Sequence, residues 1–375
     1  MKILHVVKAY FPDVGGIETS ARQIAEASAK NGDEVSVLCF GDKNEIIEKN
    51  NVIIHRIKPI FNVGSASISL KYLTQYRKLS KNTDIIHFHV PNPFGELAFC
   101  LFKNHGAKTL CTYHLDPVKP KLFVWAYKKL LNHFMKKVDV ICPTSPHYII
   151  SSQVIADFLE KCRTVPLGVD IKSFQNVSQE KINEAESKVA HLKHPRILFC
   201  GRFAYFKGIP ILLDALSLLP DCNLIMVGDG KKRQETEEQI NRLNLRDRVY
   251  LAGLQTGEDY RAFFYTADLF AFPSTWPESF GIVGLEALAA GLPIITTEIW
   301  AGSSYFNEDE KTGIIIPPND PQALANAIKR IIENPELAKS MSINARQRAE
   351  KFSIEKMPER YQEIYDFLSR NKNER

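Results

Sequence analysis

Short apolar runs alternate with longer amphipathic segments over residues 1–143. Ile3–Val7, Val35–Phe40, Val52–Ile57, Ile85–Phe88, Lys108–Tyr113 and Val138–Pro143 read as strands. Ile17–Lys30 and Leu70–Lys81 carry helical spacing of their apolar positions. This is the βαβ pattern of a parallel sheet covered on both faces. A polar stretch rich in lysine and glutamate follows Pro166–Asp170, and the pattern restarts at Arg196–Gly201. Leu224–Val227, Val249–Leu251, Leu269–Phe272, Ile294–Thr296 and Ile314–Ile316 continue it, with helices between. The expected division is a first domain at 1–166 and a second at 167–357. A closing helix near 358–370 packs back on the first. Two such doubly wound domains are expected to face a central cleft, where ligands of these folds bind at strand carboxyl ends.

Composition narrows the class. Of the 375 residues 45% are hydrophobic and 24% charged, which excludes a disordered or low-complexity chain. No apolar run reaches the ~18 residues of a membrane-spanning helix. The amino terminus reads as a first strand, because its apolar stretch breaks at Lys8 with no small-residue cleavage site after it. A cytoplasmic protein is expected. Cys39, Cys111, Cys142 and Cys200 sit in or beside apolar runs without C-x-x-C spacing and read as buried free thiols. The net charge of +5 resolves into +7 over residues 1–170 and −2 over the rest. That imbalance is too small and diffuse to point to nucleic acid.

Four constellations carry candidate chemistry. Gly15-Gly16-Ile17-Glu18 follows the first strand and opens a helix, where free N–H groups face an anion, though a plain tight turn has the same residues. Gly201-Arg202 and Lys207-Gly208 stand at the end of the first strand of the second half. An arginine fork and a lysine point charge there converge on a diphosphate, or form a solvated basic loop. Glu278 and Glu286 are separated by seven residues, with Phe280, Gly281 and Ile282 between them and a helix expected to start near Phe280. The two carboxylates suit sugar and ribose hydroxyls, and the helix start suits phosphate. For Glu286 an interhelix or capping partner is the alternative. His114 ends a first-domain strand, as a polar contact or a structural histidine. His87-x-His89 shares a strand face, but no third metal ligand is evident.

With Pro166-Leu167-Gly168-Val169-Asp170 and Ala289-Ala290-Gly291-Leu292-Pro293, these motifs stand in one order. In that order the chain resembles a family 4 glycosyltransferase of the two-domain GT-B fold, over nearly its whole length. The resemblance implies an α/β architecture of two Rossmann-like domains, the first for the acceptor and the second for the nucleotide-sugar. It implies retaining transfer of a sugar without a catalytic metal or other cofactor. Arg202 and Lys207 would stabilise the leaving diphosphate. Glu278, Phe280, Gly281 and Ile282 would contact the donor, Glu286 would hold the ribose, His114 would lie beside the transferred sugar, and Gly16 would approach the diphosphate. Tyr113-His114-x-Asp116, Phe203–Gly208 and Gly302–Tyr305 look like bacterial mannosyltransferases that build lipopolysaccharide O-antigen. Ala301–Tyr305 replaces the Gly-Gly-x-x-Glu element of many members. GDP-mannose is the expected donor and a lipid-linked or polysaccharide acceptor the partner. UDP-sugar transferases and nucleotide-sugar epimerases are the alternatives; the Glu-x₇-Glu block and the Arg/Lys loop favour transfer.

Six lysines and no acidic residue lie between Lys119 and Lys137. On a helix over 122–138, Phe123, Tyr127, Leu130, Leu131, Phe134 and Val138 form one stripe. Lys121, Trp125, Lys128, Asn132 and Lys136 form another, suited to an anionic headgroup layer on the inner face of the plasma membrane or to plain solvent.

Overall fold

The computed structural model describes residues 1–12, 15–63, 66–102, 106–116, 121–276, 278, 280–299 and 302–370; at 121–124 and 304 the description covers the backbone only. The chain divides into two compact units, Met1–Leu167 with Glu355–Arg375, and Gly168–Ile354.

The first unit is built on seven strands. They are β1 (Lys2–Val6), β2 (Glu34–Phe40), β3 (Glu45–Lys49), β4 (Val52–Ile57), β7 (Ile85–Val90), β8 (Lys108–Tyr113) and β9 (Val140–Pro143), with a separate hairpin of β5 (Phe61–Val63) and β6 (Ala66–Ile68). Their order is β3-β4-β2-β1-β7-β8-β9, parallel except for β3 at one edge. β7 is buried at all six positions, which is why its sequence runs on apolar and histidine residues without alternation. Neither β3 nor the β5–β6 hairpin follows from the apolar pattern. Three of the five β3 residues are charged, and it is an edge strand held by an Asn50–Asn51 turn with φ of 50° and 61°.

Two helices of this unit bear on function. The Lys356–Arg370 helix buries Met357, Tyr361, Tyr365 and Leu368, one stripe at 4-4-3 spacing. The Tyr361 hydroxyl lies 2.6 Å from Thr112 Oγ1, and the Tyr365 hydroxyl 2.7 Å from His87 Nδ1. The Lys121–Lys137 helix buries Leu131, Phe134 and Met135. Tyr127 and Leu130 are only partly covered. Val138 closes this helix, and β9 begins two residues later than expected. The reason is that Lys161 Nζ caps the turn, donating to the carbonyls of Met135, Lys136 and Val138 at 2.7–3.2 Å.

The second unit holds β10 (Arg196–Cys200), β11 (Asn223–Val227), β12 (Val249–Gly253), β13 (Leu269–Phe272), β14 (Ile294–Thr297) and β15 (Gly313–Ile316), all parallel in the order β12-β11-β10-β13-β14-β15. In each sheet the winding reverses once, between β1 and β7 and between β10 and β13. Such switch points open a crevice at the carboxyl ends of the strands. The loop to Gly15–Gly16 leaves β1, Gly201–Gly208 leaves β10, and Pro273–Gly281 leaves β13. The four expected thiols are free and buried.

Candidate active site

In the second unit, the β10 loop turns at Gly201 and closes at Gly208 before the Ile209–Ser217 helix. Gly208 is left-handed (φ 66°), and a Cβ there would sit 1.8 Å from the Pro273 carbonyl oxygen. The β10 and β13 loops therefore touch at a point only glycine permits. That contact brings Lys207 to Glu278: Nζ donates to Oε2 at 2.6 Å, with both side chains largely buried. The Ser274 hydroxyl donates to the other carboxylate oxygen. Arg202 is exposed on the same loop.

The helix after this loop runs Ile282–Ala290 and not from Phe280. Gly281 is its amino-terminal cap, left-handed at φ 83°, and a Cβ there would meet the Phe272 ring at 2.7 Å. Among the described residues no side chain caps this end, and Gly284 N donates to the Gly281 carbonyl at 2.9 Å, so the N–H groups of Ile282 and Val283 are the ones free to face an anion. Phe280 precedes that cap. Its side chain is fully buried, with ring centroids 5.9 Å from both Phe306 and Phe352. Only its backbone can meet a ligand. Gly302 lies against it, where a Cβ would fall 2.1 Å from the Phe280 Cα. Ile282, the first residue of the helix, is partly exposed.

Glu286 lies one turn further on, partly exposed at its residue surface. Its Oε2 accepts the Tyr260 hydroxyl at 2.6 Å. Desolvation pushes its pKa up, opposed by that hydrogen bond and by the Arg261 charge. Tyr260 escapes sequence reasoning because it sits on another helix, Gly257–Ala262. No spacing rule links positions 26 apart.

In the first unit, Gly16 opens the Gly16–Lys30 helix, exposed and without a side-chain cap; residues 13–14 of that loop lie outside the described residues. His114 follows β8 and is buried. Asp116 of the same motif is a brace: it accepts Tyr113 Oη at 2.6 Å, Ser152 Oγ at 2.7 Å and Gln153 N at 2.9 Å.

His87 and His89 do have a third companion, His5, which pairs with His87 across β1 and β7. Sequence reasoning missed it; the signal was a histidine inside the apolar run of β1. The three do not fit a metal. His87 and His89 stack with centroids 4.4 Å apart and planes 19° apart, and both His87 nitrogens are engaged, by Tyr365 Oη and by Thr112 Oγ1 at 2.7 Å each. Lone pairs in near-parallel planes cannot converge on one ion at about 2.0–2.1 Å. Burial pushes the pKa values of His5 and His114 down to about 3, and those of His87 and His89 well below the usual range, so all four are neutral.

Residues 14–173 match the family described as Glycosyltransferase Family 4, and 180–348 match Glycosyl transferases group 1. The O-antigen chain mannosyltransferase C of Escherichia coli is 33% identical over 100% of both chains. This chain belongs to the family 4 glycosyltransferases. The D-rhamnosyltransferase WbpZ of Pseudomonas aeruginosa is 32% identical, over 93% of this chain and 91% of its own. Among solved structures, Anabaena HepE in complex with UDP matches with a TM-score of 0.81 at 22% identity, covering 98% of this chain and 100% of that one. The lipopolysaccharide glycosyltransferase WaaG matches at 0.72 and 19%, over 97% and 99%. These likenesses give the GT-B fold. No helix among the described residues is long and apolar enough to cross a membrane.

Proposed function

We propose that this glycosyltransferase moves mannose from GDP-mannose, with retention at the anomeric carbon, to a lipid-linked or oligosaccharide acceptor in cell-surface glycan synthesis. The observation that carries the chemistry is the Lys207–Glu278 pair at the switch point of the second sheet. The bond from the anomeric carbon to the diphosphate breaks as the bond to an acceptor hydroxyl oxygen forms. The hydroxyl proton leaves with the diphosphate side. Charge builds on the diphosphate, where a fixed lysine, held by Glu278 before substrate arrives, costs no reorganisation. Arg202 adds a planar fork from the same loop, and the open amino end of the Ile282–Ala290 helix adds N–H groups and a positive dipole end. Glu286, oriented by Tyr260, accepts from ribose hydroxyls. No divalent metal is needed in this scheme, because the lysine, arginine and helix end supply its electrostatic role.

Support for mannose comes from the Escherichia coli relative, and support for D-rhamnose as a second reading from the Pseudomonas relative at nearly equal identity. A UDP-linked donor is the third, after the ligand of HepE. Thermal shifts with GDP-mannose, GDP, UDP-glucose and UDP, followed by product analysis on a lipid-linked acceptor, separate them. GDP-mannose and GDP are expected to stabilise, and GDP-mannose to be consumed; stabilisation by the uridine nucleotides only would overturn the donor.

A further inference from the structure

His5, His89 and His114 form a chain of ring-to-ring contacts that the transfer chemistry above does not use. His5 Nδ1 lies 3.1 Å from His89 Nε2, and His89 Nδ1 lies 3.5 Å from His114 Nε2, the longer link at the outer limit of a hydrogen bond. All three side chains are buried. We infer that His5 and His89 are positioning residues that fix His114 in the tautomer with its proton on Nδ1. The inference rests on the reading that His114 faces the transferred sugar.

The argument is one of proton counting. A neutral imidazole has one N–H donor and one bare acceptor nitrogen. Each contact needs one of each, so the chain has only two arrangements, and choosing one tautomer chooses all three. The end of the chain decides between them. His5 Nε2 is buried and has no hydrogen-bond partner among the described residues. In one arrangement it carries an orphaned N–H; in the other it is a bare lone pair. Orphaned buried N–H groups are the rarer and costlier case. The proton therefore sits on His5 Nδ1 and is donated to His89 Nε2. His89 then holds its proton on Nδ1 and donates it to His114 Nε2, which leaves the His114 proton on Nδ1. His87 does not compete, since its nitrogens are taken by Tyr365 and Thr112. Its ring, stacked on His89, holds that ring in line. His114 is thus presented as an N–H donor, the form that hydrogen-bonds to an oxygen of a sugar or phosphate.

The test uses the full chain labelled with ¹⁵N-histidine and long-range ¹H–¹⁵N correlation at pH 7. A pyrrole-type Nδ1 and a pyridine-type Nε2 are expected at His114. The reverse pattern overturns the inference, whatever the enzyme turns over. H89L removes the donor to His114 Nε2 and is expected to move the His114 proton to Nε2. Turnover should fall about tenfold, with affinity for GDP and UDP unchanged. H89Q, whose amide can accept from His5 and donate to His114, is expected to restore both tautomer and turnover. If the two variants leave the His114 tautomer alike, His89 is only packing and the inference fails. Should H89L not fold, the wild-type and H89Q spectra decide. Absence of transfer from any nucleotide-sugar would overturn the functional reading, while the spectra still decide the tautomer.

Discussion

Lys207 and Glu278, 71 positions apart, form a 2.6 Å ion pair with side chains only 10% and 14% exposed. The pair places a cation before any diphosphate binds. On the proposed reading its interaction with the leaving group grows as charge develops, so its loss is expected to act on the transition state more than on the ground state. K207A is expected to lower kcat by about 10²–10³-fold, in the range of a lost oxyanion-type donor. Steady-state kinetics with the donor varied check this; an intact kcat with only KM raised would remove the role. K207R should not restore the rate, because a planar fork cannot replace a point charge in this contact.

Glu286 is expected to act on binding. A charged hydrogen bond to ribose is made alike in ground and transition states, and E286A should weaken nucleoside diphosphate binding by about 10–100-fold. The Tyr260 hydroxyl holds the Glu286 pKa down against burial. Y260F should therefore raise that pKa and make binding fade at a higher pH than in the wild type. Calorimetric titration of GDP from pH 5.5 to 8 reads this shift; identical pH profiles would sever Tyr260 from Glu286.

Acid should unfold the first unit through its histidines. The folded pKa values of His5 and His114 lie at about 3, well below the ordinary 6.5. Between those values the unfolded chain binds more protons, so stability is full above pH 6.5 and falls as pH drops. Each such histidine contributes a slope of roughly 1.4 kcal/mol per pH unit in that window. Glu96 works in the opposite sense. Burial pushes its pKa from 4.5 up to about 7, so its contribution falls as pH rises between those values. Four buried histidines outweigh one carboxyl, and urea midpoints should drop on going from pH 7 to 5.5. H5F should flatten the slope; an unchanged slope would show that His5 takes up no proton on unfolding.

The basic helix at Lys121–Lys137 carries the membrane proposal in altered form. Trp125 is 66% exposed, with Lys129 Nζ 3.7 Å above its ring. Lys128 is tied to Gln153 Oε1 at 2.7 Å and is not a free headgroup donor. Lys119 and the side chain of Lys121 lie outside the described residues. Lys129, Lys136 and Lys137 are exposed. At about 1 kcal/mol per lysine near an anionic surface, three suffice for salt-sensitive, reversible binding. Flotation with phosphatidylglycerol vesicles should capture the protein at low salt and release it at high salt. The variant with glutamate at 129, 136 and 137 should stay unbound and folded. Wild-type protein that ignores such vesicles at low salt would reduce this face to a soluble surface.

Chelation is expected to leave turnover unchanged, since Lys207, Arg202 and the helix start at Ile282 are the charges assigned to the diphosphate. Activity lost in EDTA and regained with magnesium or manganese would return that role to a metal.

Much of this was legible in the chain. Parallel strands buried on both faces need continuous apolar runs, so their order of appearance reads directly from Ile3–Val7 to Ile314–Ile316. Gly15–Gly16, Arg202, Lys207 and Glu278 stand in the segments that follow β1, β10 and β13, with Glu286 one turn inside the next helix, and their spacing carried the family. The edge strand β3 stayed hidden because an edge has one paired side and tolerates charge at three of five positions, though the Asn50–Asn51 pair was its signal. The burial of the Phe280 ring was not legible, because a motif gives residue types and not whether a side chain or a backbone faces a ligand. The remaining relationships, Lys207 to Glu278, Tyr260 to Glu286 and His5 to His89, join residues 26 to 84 positions apart. Local pattern fixes which face of an element is apolar. It says nothing about which polar group on a distant element will meet another, because that depends on how the strands order within a sheet, and only the packed chain sets that order.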